Sequence, residues 1–528
     1  MANKRLQVWF PLLFSVIMVV GMVIGYKLRE NTAVKGFFTI SKKSPMQEVL
    51  DLIKLRYVDN VGIDSIGNNG INNILHQLDP HSVFIPASDL SYINDDLRGN
   101  FSGIGVEFQI FSDTVNVLNV LTGGPSEKAG LQLGDKFIRV NDSIIIAGKH
   151  IKPDDIRKLL RGENGRSVKL TVLRDGKLMS FTVSRGTIPV PSVDVAYMVT
   201  PETGFIHINR FSGTTYREFM VNLEKLQAQH MKKLVLDLRG NGGGFLDQAV
   251  NIADEFLDED KLIVYTQGTN VPRSEYRSKR EGLFEKGDLV LLVDEGSASA
   301  SEVLAGALQD WDRATIVGRR TFGKGLVQEQ FELSDKSALR LTVARYYSPL
   351  GRNIQKPYTE GYDKYEEEVT ERFHNGEVLI GDTTKKTGRA YKTKKGRIVY
   401  GGGGITPDIF ISFDTTSINK EATKLYIKGT LSNFVYTYFI QHKQEFEKYK
   451  KSTDLAAGYK AGEPEWNALK IFATKDSINL DKVTPKDKAD IIKKFPSLIA
   501  RQMWRYEGYY EVMNQSDSFV LKGLQVLK

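Results

Sequence analysis

Two short segments of this chain contain residue types that together could cleave an acyl bond. Residues 296–302 read Gly-Ser-Ala-Ser-Ala-Ser-Glu, and residues 321–325 read Thr-Phe-Gly-Lys-Gly. A serine hydroxyl is a poor nucleophile unless a base takes its proton, and a lysine can be that base only while its amine is neutral. A serine of the first segment and Lys324 of the second could therefore form a catalytic dyad.

Each half of this pair also has a simpler structural interpretation. Ser297, Ser299 or Ser301 could merely cap a helix, with Glu302 completing a capping box for Ser299. Lys324 could be a surface lysine in a hairpin, although the glycines on both sides favour an unusual backbone conformation. Catalysis would also require burial, because a free lysine has a pKa of about 10.4 and an apolar pocket can lower it by up to about 3–5 units.

A glycine-rich turn could supply hydrogen-bond donors to the same reaction. Residues 237–245 read Asp-Leu-Arg-Gly-Asn-Gly-Gly-Gly-Phe and follow an apolar run. A turn of this kind before a helix presents backbone N–H groups to an anion. Phosphate binding is the alternative, but the spacing is not GxGxxG and the P-loop lysine is missing. Once a nucleophile is in view, an oxyanion hole is the better interpretation.

The elements that must position these segments form an α/β pattern. Leu234–Leu238 and Leu289–Val293 are continuous apolar runs, as expected for strands buried on both faces. Helical patterns follow at Phe245–Leu257 and Ser301–Leu308, and repeated strand-then-helix order indicates a layered α/β fold. Ser299 would lie where a strand turns into a helix, near outward-pointing N–H groups.

Upstream, residues 101–185 alternate short strands with turns, and their order resembles a PDZ domain. In that family an extended peptide adds to a strand edge, and backbone N–H groups of a glycine loop hold its terminal carboxylate. Gly103, Ile104, Gly105 and Val106 would be that loop. The alternative is that these glycines only serve a tight turn.

The N-terminal segment is apolar enough to enter a membrane. Lys4 and Arg5 precede an almost wholly apolar stretch, Val8–Gly25. About 18 to 20 residues span a bilayer core of roughly 30 Å. A cleaved signal peptide would have a shorter apolar core and an Ala-x-Ala site, so an uncleaved anchor is favoured. Lys27 and Arg29 balance the charges before the span, so the positive-inside rule gives no orientation.

Composition limits the other functions. The 528 residues suggest about three or four domains, and the net charge of +8 is mild for this length. The densest basic stretch, Lys385–Arg397, is interpreted as a solvated loop or hairpin rather than a nucleic-acid or lipid site, because acidic Glu366–Glu368 lies nearby. The chain has no cysteine, which excludes disulfides and thiolate catalysis. The 7 histidines form no HExxH motif, so no metal or other cofactor is expected.

Taken together, the motifs resemble the C-terminal processing peptidases, also called tail-specific proteases, over roughly residues 44–408. The segments that carry the resemblance are Leu78–Ser82, Phe101–Phe108, Pro125–Asp135, Asp237–Gly244, Gly296–Asp310, Thr321–Gln328, Ser348–Arg352 and Gly404–Asp408. The long charged segment between Arg352 and Gly401 departs from shorter relatives. We expect a solvated hairpin there, with a flap or partner site as the alternative.

The resemblance assigns roles to individual residues. It implies that Ser299 is the nucleophile and Lys324 the general base, that Gln328 hydrogen-bonds and orients the lysine, and that Asp310 supports the site structurally. One oxyanion donor would be the N–H of Ala300, and the other would be the N–H of either Gly243 or Gly244. His207 could suggest a Ser/His enzyme instead, but a strand histidine among apolar neighbours is more often structural.

The expected fold is therefore multidomain, α/β and α+β. We predict a transmembrane anchor or signal segment (1–30), an N-terminal helical region (31–100), a PDZ domain (101–187), a crotonase-like serine protease core (188–412) and a helical C-terminal extension (413–528). The resemblance implies a single-pass protein of the inner (cytoplasmic) membrane whose catalytic part lies in the periplasm or another extracytoplasmic space.

The expected function is a serine endopeptidase that binds the apolar C-terminal tails of proteins. An adaptor or a homo-oligomer is left open as a further partner, and no nucleic-acid partner is expected. One alternative is a catalytically inactive tail-binding scaffold on the same fold. Another is a Ser/Lys hydrolase or amidase acting on small acyl compounds, against which the peptide-binding module argues.

Overall fold

The computed structural model describes residues 4–31, 44–381, 388–413 and 419–528. The chain divides into two compact units between Ile71 and Asn72. The first contains helices α1 (Lys4–Asn31) and α2 (Pro45–Arg56), and α3 (Ile63–Leu75) begins in it. Among the described residues, one helix is long and apolar enough to cross a membrane: Trp9–Lys27 in α1 spans 19 residues with a mean hydropathy of 2.1, and none of it is buried.

The predicted strand-and-turn region is a β-rich domain within the second unit. The elements up to residue 189 are β1 (Val83–Ile85), α4 (Ala87–Arg98), β2 (Asn100–Gly103), β3 (Val106–Phe111), β4 (Thr114–Val120), α5 (Pro125–Lys128), β5 (Lys136–Val140), β6 (Ile144–Ile145), α6 (Pro153–Leu160), β7 (Ser167–Arg174), β8 (Lys177–Ser184) and β9 (Gly186–Pro189). The sheet has the antiparallel order β3-β4-β5-β7-β8, with β6 on β5. Strands β2 and β9 pair where the chain enters and leaves this domain.

A layered α/β region follows. Its elements are β10 (Val193–Met198), β11 (Thr203–Ile208), α7 (Thr215–Gln227), β12 (Lys233–Asp237), α8 (Leu246–Asp254), β13 (Leu262–Gln267), β14 (Ser274–Arg277), β15 (Asp288–Val293), α9 (Ala300–Asp310), β16 (Thr315–Gly318), β17 (Leu326–Glu332) and β18 (Ala338–Tyr347). After an inserted segment, β21 (Ile409–Phe410) completes the main sheet, whose order is β10-β11-β12-β15-β16-β21. Strands β11 to β21 of this sheet are parallel. A second sheet has the order β1-β18-β13-β14, with β17 on β18.

The inserted segment is only partly the solvated hairpin that the sequence suggested. Its elements are α10 (Tyr362–His374), α11 (Glu377–Ile380), β19 (Ala390–Lys392) and β20 (Ile398–Tyr400). Strands β19 and β20 form a hairpin, and Arg397 ties it to Asp312 and Asp408. The expectation fails for α10, because this helix buries Tyr365 and Arg372 against the rest of the protein. Residues 385–387 of the basic stretch lie outside the described residues.

The C-terminal extension is helical, as expected. It contains α12 (Lys420–Ile427), α13 (Thr430–Gln441), α14 (Lys443–Phe446), α15 (Ser452–Gly458), α16 (Glu463–Ala473), two 3₁₀ turns (Thr474–Asp476 and Leu480–Lys482), α17 (Pro485–Lys493), α18 (Phe495–Met513) and α19 (Ser518–Val526). Helices α12 to α18 share an apolar core of their own, which includes Phe434, Trp466 and Phe495.

Both faces of the main sheet are buried, as its apolar runs predicted. Side chains alternate along β12, so Leu234 and Leu236 pack into the cluster that helices α7, α8 and α9 cover. Val235 points to the opposite face and joins a second cluster with Phe519 and Val520 of α19. Strands β12 and β15 therefore lie in a sheet enclosed by its own helices on one side and by the C-terminal extension on the other.

Candidate active site

The serine cluster lies in the turn between β15 and α9, and its three serines have different environments. Ser297 and Ser301 are fully buried, and their hydroxyls donate to Leu238 O (2.8 Å) and Asn241 O (2.9 Å). Ser299 is half-buried and has φ 56° and ψ −115°, a conformation that costs most non-glycine residues about 1–3 kcal/mol. The two outer serines thus fasten the turn to the glycine-rich segment, and the middle one is only half-buried.

The glycine-rich turn packs directly on this serine. Gly243 has φ 96°, and a Cβ there would lie 2.7 Å from Ser299 Cβ and 3.0 Å from Ala300 N. Only glycine fits so close to the serine. The Gly243 N–H donates to Asn241 Oδ1 (2.9 Å), so this donor is already engaged. A Cβ on Gly244 would lie 2.0 Å from Phe211 O, which excludes a side chain at that position also.

The lysine lies in the loop that leads into β17. Lys324 is half-buried, and burial lowers the pKa of its amine. The positive charge of Arg340 lowers that pKa further, whereas the carboxylates of Glu302 and Asp79 oppose the shift. The direction is the one a general base needs, because only the neutral amine can accept a proton.

A buried carboxylate joins the serine turn to the lysine loop. Glu302 Oε2 accepts the N–H of Ser299 (2.9 Å) and the N–H of Lys324 (2.8 Å). Its Oε1 accepts Gly323 N–H (2.8 Å) and the Thr321 hydroxyl (2.5 Å). Burial raises the pKa of Glu302, and these four donors oppose that rise. The predicted capping interaction with Ser299 is therefore present, but the bonds to residues 321–324 were not foreseen.

A buried tyrosine bridges the same two residues through their carbonyl groups. Tyr346 is 4% exposed, and its hydroxyl contacts Ser299 O (3.0 Å) and Lys324 O. Glu302 thus accepts the N–H groups of both Ser299 and Lys324, and Tyr346 contacts the carbonyls of both. No local pattern in the sequence indicates this tyrosine, which lies on β18.

The glutamine that was expected to orient the lysine is bonded elsewhere. Gln328 Nε2 donates to Thr342 Oγ1 (3.2 Å), and that hydroxyl donates to Asp79 Oδ1 (2.9 Å). Among the described side chains, no hydrogen bond links Lys324 Nζ to Gln328 or to Ser299 Oγ. The Leu78–Ser82 motif nevertheless lies beside the lysine loop, because the ring centroids of His81 and Phe322 are 6.5 Å apart. Burial, followed by the charge of Lys324, lowers the pKa of His81 to about 3.

Two further residues have structural surroundings. Asp310 is buried, pairs with Arg352 and accepts the Leu350 N–H (3.0 Å), so it holds the turn that follows β18. His207 on β11 is buried and bonds Asp194 through Nδ1 (2.6 Å). Neither contact involves Ser299. No cluster of three or more His, Cys, Asp or Glu side chains suited to a metal occurs in the part of the chain that the structure describes.

The glycine loop of the β-rich domain connects β2 to β3. Gly103 ends β2 and Val106 begins β3. Gly105 has φ 75°, and a Cβ on this residue would lie 3.1 Å from Ile188 Cδ1. The carbonyls of Ile104 and Gly105 accept N–H groups from Ser126 (3.0 Å) and Leu121 (2.9 Å). The four predicted loop residues thus lie between β2 and β3, and hydrogen bonds from Ser126 and Leu121 hold two of their carbonyls in place.

Comparisons with known proteins agree with this architecture. Residues 202–361 match peptidase family S41, residues 102–184 match the PDZ domain, and residues 422–505 match a family of unknown function, DUF8443.

Individual relatives share much of the chain. It is 33% identical over 345 residues to the carboxy-terminal-processing protease of Bartonella bacilliformis, which covers 64% of this chain and 78% of the relative. It is 30% identical over 400 residues to a probable CtpA-like serine protease of Staphylococcus haemolyticus, covering 73% and 79%. A solved photosystem II D1 C-terminal processing protease is 26% identical, with a TM-score of 0.36 and coverage of 71% and 88%.

The fold and the matched domains define a serine-type peptidase that carries a PDZ domain on a multidomain α/β fold. Within that class the chain belongs to the C-terminal processing peptidases of family S41.

Proposed function

We propose that this peptidase is an endopeptidase that captures the apolar C-terminal tail of a protein with its PDZ domain and cleaves it with Ser299 and Lys324. Ser299 Oγ would attack the scissile carbonyl while Lys324 Nζ takes its proton. The resulting ammonium would protonate the leaving amine, and a water molecule would then hydrolyse the acyl-enzyme.

The observation that carries this proposal is the shared oxygen of Glu302. Because Oε2 accepts the N–H groups of both Ser299 and Lys324, the two backbones are neighbours although the residues lie on different elements. We expect rotation of the two side chains to bring Oγ and Nζ into contact when substrate binds. Catalytic hydrogen bonds are often long without substrate and tighten when it binds.

The oxyanion hole would use the N–H of Ala300 and a glycine N–H from the turn. Of the two predicted glycines, Gly244 is the better donor, because Gly243 already donates to Asn241. Ala300 is the first residue of α9, where backbone N–H groups have no partner within the helix. Both donors would stabilise negative charge as it forms on the carbonyl oxygen.

Two substitutions test the dyad. Ser299→Ala should abolish hydrolysis of a peptide with an apolar carboxyl end. Lys324→Arg should fold and still bind that peptide but show no turnover, because the guanidinium stays charged. Lys336→Arg on the exposed turn before β18 is the matched control and should keep full activity.

Turnover is measured as release of the cleaved peptide, and folding as the thermal unfolding midpoint. Near-normal turnover by Lys324→Arg would remove the lysine from the mechanism. A Ser299→Ala protein as active as the parent would remove the serine, and a parent that binds the peptide without cleaving it would favour the inactive scaffold.

The remaining predictions extend the proposal to the whole chain. We propose that the five domains lie as the sequence suggested, that the core has a crotonase-like fold, and that α1 anchors the protein in the inner membrane with its catalytic part in the periplasm. The matches to residues 102–184 and 202–361 support the PDZ and core assignments, and the exposed apolar stretch of α1 supports the anchor.

A further inference from the structure

The inserted segment between Arg352 and Gly401 places a buried cation behind the lysine loop. Arg372 lies in the last turn of α10 and is 2% exposed. Its Nη1 donates to Arg320 O (3.0 Å) and Thr321 O (2.9 Å), and its Nη2 donates to Phe322 O (3.1 Å). Three consecutive carbonyls are therefore held by one side chain, and the last of them is two residues before Lys324.

The guanidinium is itself held in place. Glu368, one turn earlier on α10, accepts from Arg372 Nε (2.8 Å) and Nη2 (2.8 Å) in a two-point contact. The same carboxylate accepts from Arg320 (3.0 Å) and from Lys356 (3.1 Å). A planar guanidinium with every nitrogen bonded has one orientation, which fixes the carbonyls that it binds.

The opposite side of the loop faces the buried carboxylate of Glu302. The N–H groups of Gly323 and Lys324 donate to that carboxylate, whereas the carbonyls of residues 320–322 accept from Arg372. The loop thus lies between an anion that binds its donors and a cation that binds its acceptors. Charge-assisted hydrogen bonds of this kind are strong where water is excluded.

Glycines make this support necessary. Gly323 has φ 92° and lies beside Lys324, so the local sequence does little to restrict the backbone there. We propose that Arg372 is a positioning residue that acts through the loop carbonyls to hold Lys324 in reach of Ser299. This role rests on the proposed dyad, and it gives the inserted helix a function in the peptidase reaction.

The test compares variants of the full chain in detergent. Arg372→Gln should lower kcat for an apolar-tailed peptide about ten- to a hundredfold while KM changes less than about twofold, because a misplaced base slows the chemical step. Arg372→Lys should recover part of that loss, since an ammonium can donate to the carbonyls but cannot make the two-point contact. Amide hydrogen exchange of residues 320–326 should be faster in Arg372→Gln than in the parent.

Arg397→Gln is the matched control. Arg397 belongs to the same inserted segment, pairs with two carboxylates and donates to the carbonyls of Gln309 and Ala314 (both 3.3 Å). Among the described residues, none of its side-chain hydrogen bonds or ion pairs is to residues 320–325. It should lower thermal stability without changing kcat or exchange in the lysine loop. Equal kcat and equal loop exchange in the two glutamine variants would overturn the proposal.

Two further comparisons cover the cases in which Arg372→Gln does not fold or the parent shows no activity. If Arg372→Gln does not fold, Arg372→Lys and Glu368→Gln are compared with Arg397→Gln in the same way. If the parent shows no hydrolysis that depends on Ser299, the proposed dyad fails, and the exchange of residues 320–326 alone decides: faster exchange in Arg372→Gln supports the positioning of the loop by Arg372, and unchanged exchange refutes it.

Discussion

The pKa of Lys324 ties activity to pH through identifiable neighbours. A general base works only when deprotonated, so kcat/KM should rise with pH as Lys324 loses its proton in the free enzyme. Burial lowers the pKa and moves this rise to lower pH, and Arg340 moves it further in the same direction.

Removing the charge of Arg340 should therefore move the acid limb of the profile to higher pH. The measurement is kcat/KM against pH for Arg340→Gln and the parent. Arg345→Gln is the matched control, because Arg345 lies on the same strand, is exposed and bonds Tyr358 (3.0 Å). A limb that stays in place, or moves toward acid, would show that Arg340 does not act on the base.

At the residue scale the sequence predicted candidate members of the site but not the links between them. Ser299, Lys324 and the glycine turn each stand out by local pattern, since glycines and small residues mark unusual backbone. The bonds from Glu302 to Lys324, from Tyr346 to both residues and from Arg372 to the loop join distant parts of the chain. Nothing in the local sequence around any of these partners specifies them.

At the element scale, α19 is fixed to the strand that precedes the glycine turn. Asp517 caps α19 by accepting the N–H groups of Phe519 (2.9 Å) and Val520 (3.1 Å). It also pairs with Arg239 (3.0 Å), which in turn pairs with Asp237 at the end of β12. One carboxylate therefore serves both the helix and its docking on the core.

Substitutions of Asp517 should separate these two roles. Asp517→Asn keeps a good capping oxygen but loses the charge, whereas Asp517→Ala loses both. We expect Asp517→Ala to be less stable than Asp517→Asn by about 1 kcal/mol, the usual contribution of an N-cap. Thermal unfolding midpoints give the comparison, and equal midpoints would show that the cap contributes nothing here.

Elements were the best-predicted level of the structure. The runs Leu234–Leu238 and Leu289–Val293 gave β12 and β15, because a continuous apolar stretch of this length fits a strand buried on both faces. The pattern could not say what covers each face. Burial of Val235 by Phe519 depends on the packing of a helix almost three hundred positions away, which hydrophobic periodicity does not encode.

At the scale of the whole molecule, the C-terminal extension contacts both the β-rich domain and the core. Arg501 (3.1 Å) and Arg505 pair with Glu107 on β3, the strand that follows the glycine loop. The Tyr436 hydroxyl donates to Val117 O (3.0 Å) on the neighbouring strand β4. Helix α19 meanwhile covers the main sheet. The part of the chain with no readable motif thus connects the PDZ domain to the S41 peptidase domain.

If the β-rich domain delivers substrate, a free terminal carboxylate should matter for cleavage. A peptide with an apolar end should be cleaved with a higher kcat/KM than its C-terminal amide, because the carboxylate offers two charged acceptor oxygens to the N–H groups of the loop at residues 103–106, whereas the amide offers one neutral oxygen and an NH2 group that cannot accept. The comparison is made with the parent and with a chain lacking residues 101–185.

Deletion should remove the preference for the acid and should either abolish or increase turnover if the domain also gates the site. An unchanged rate would exclude gating. Equal cleavage of acid and amide by the parent would exclude carboxylate capture by the loop.

The backbone conformation of Ser299 also bears on the alternative that the protein is a catalytically inactive scaffold. At φ 56° and ψ −115°, a glycine would carry no backbone penalty, and under the proposed mechanism that single replacement would also remove the nucleophile. A lineage released from selection for hydrolysis would gain stability by accepting it. The backbone conformation of Ser299 costs folding free energy, so selection for hydrolysis would explain why a serine is kept at this position.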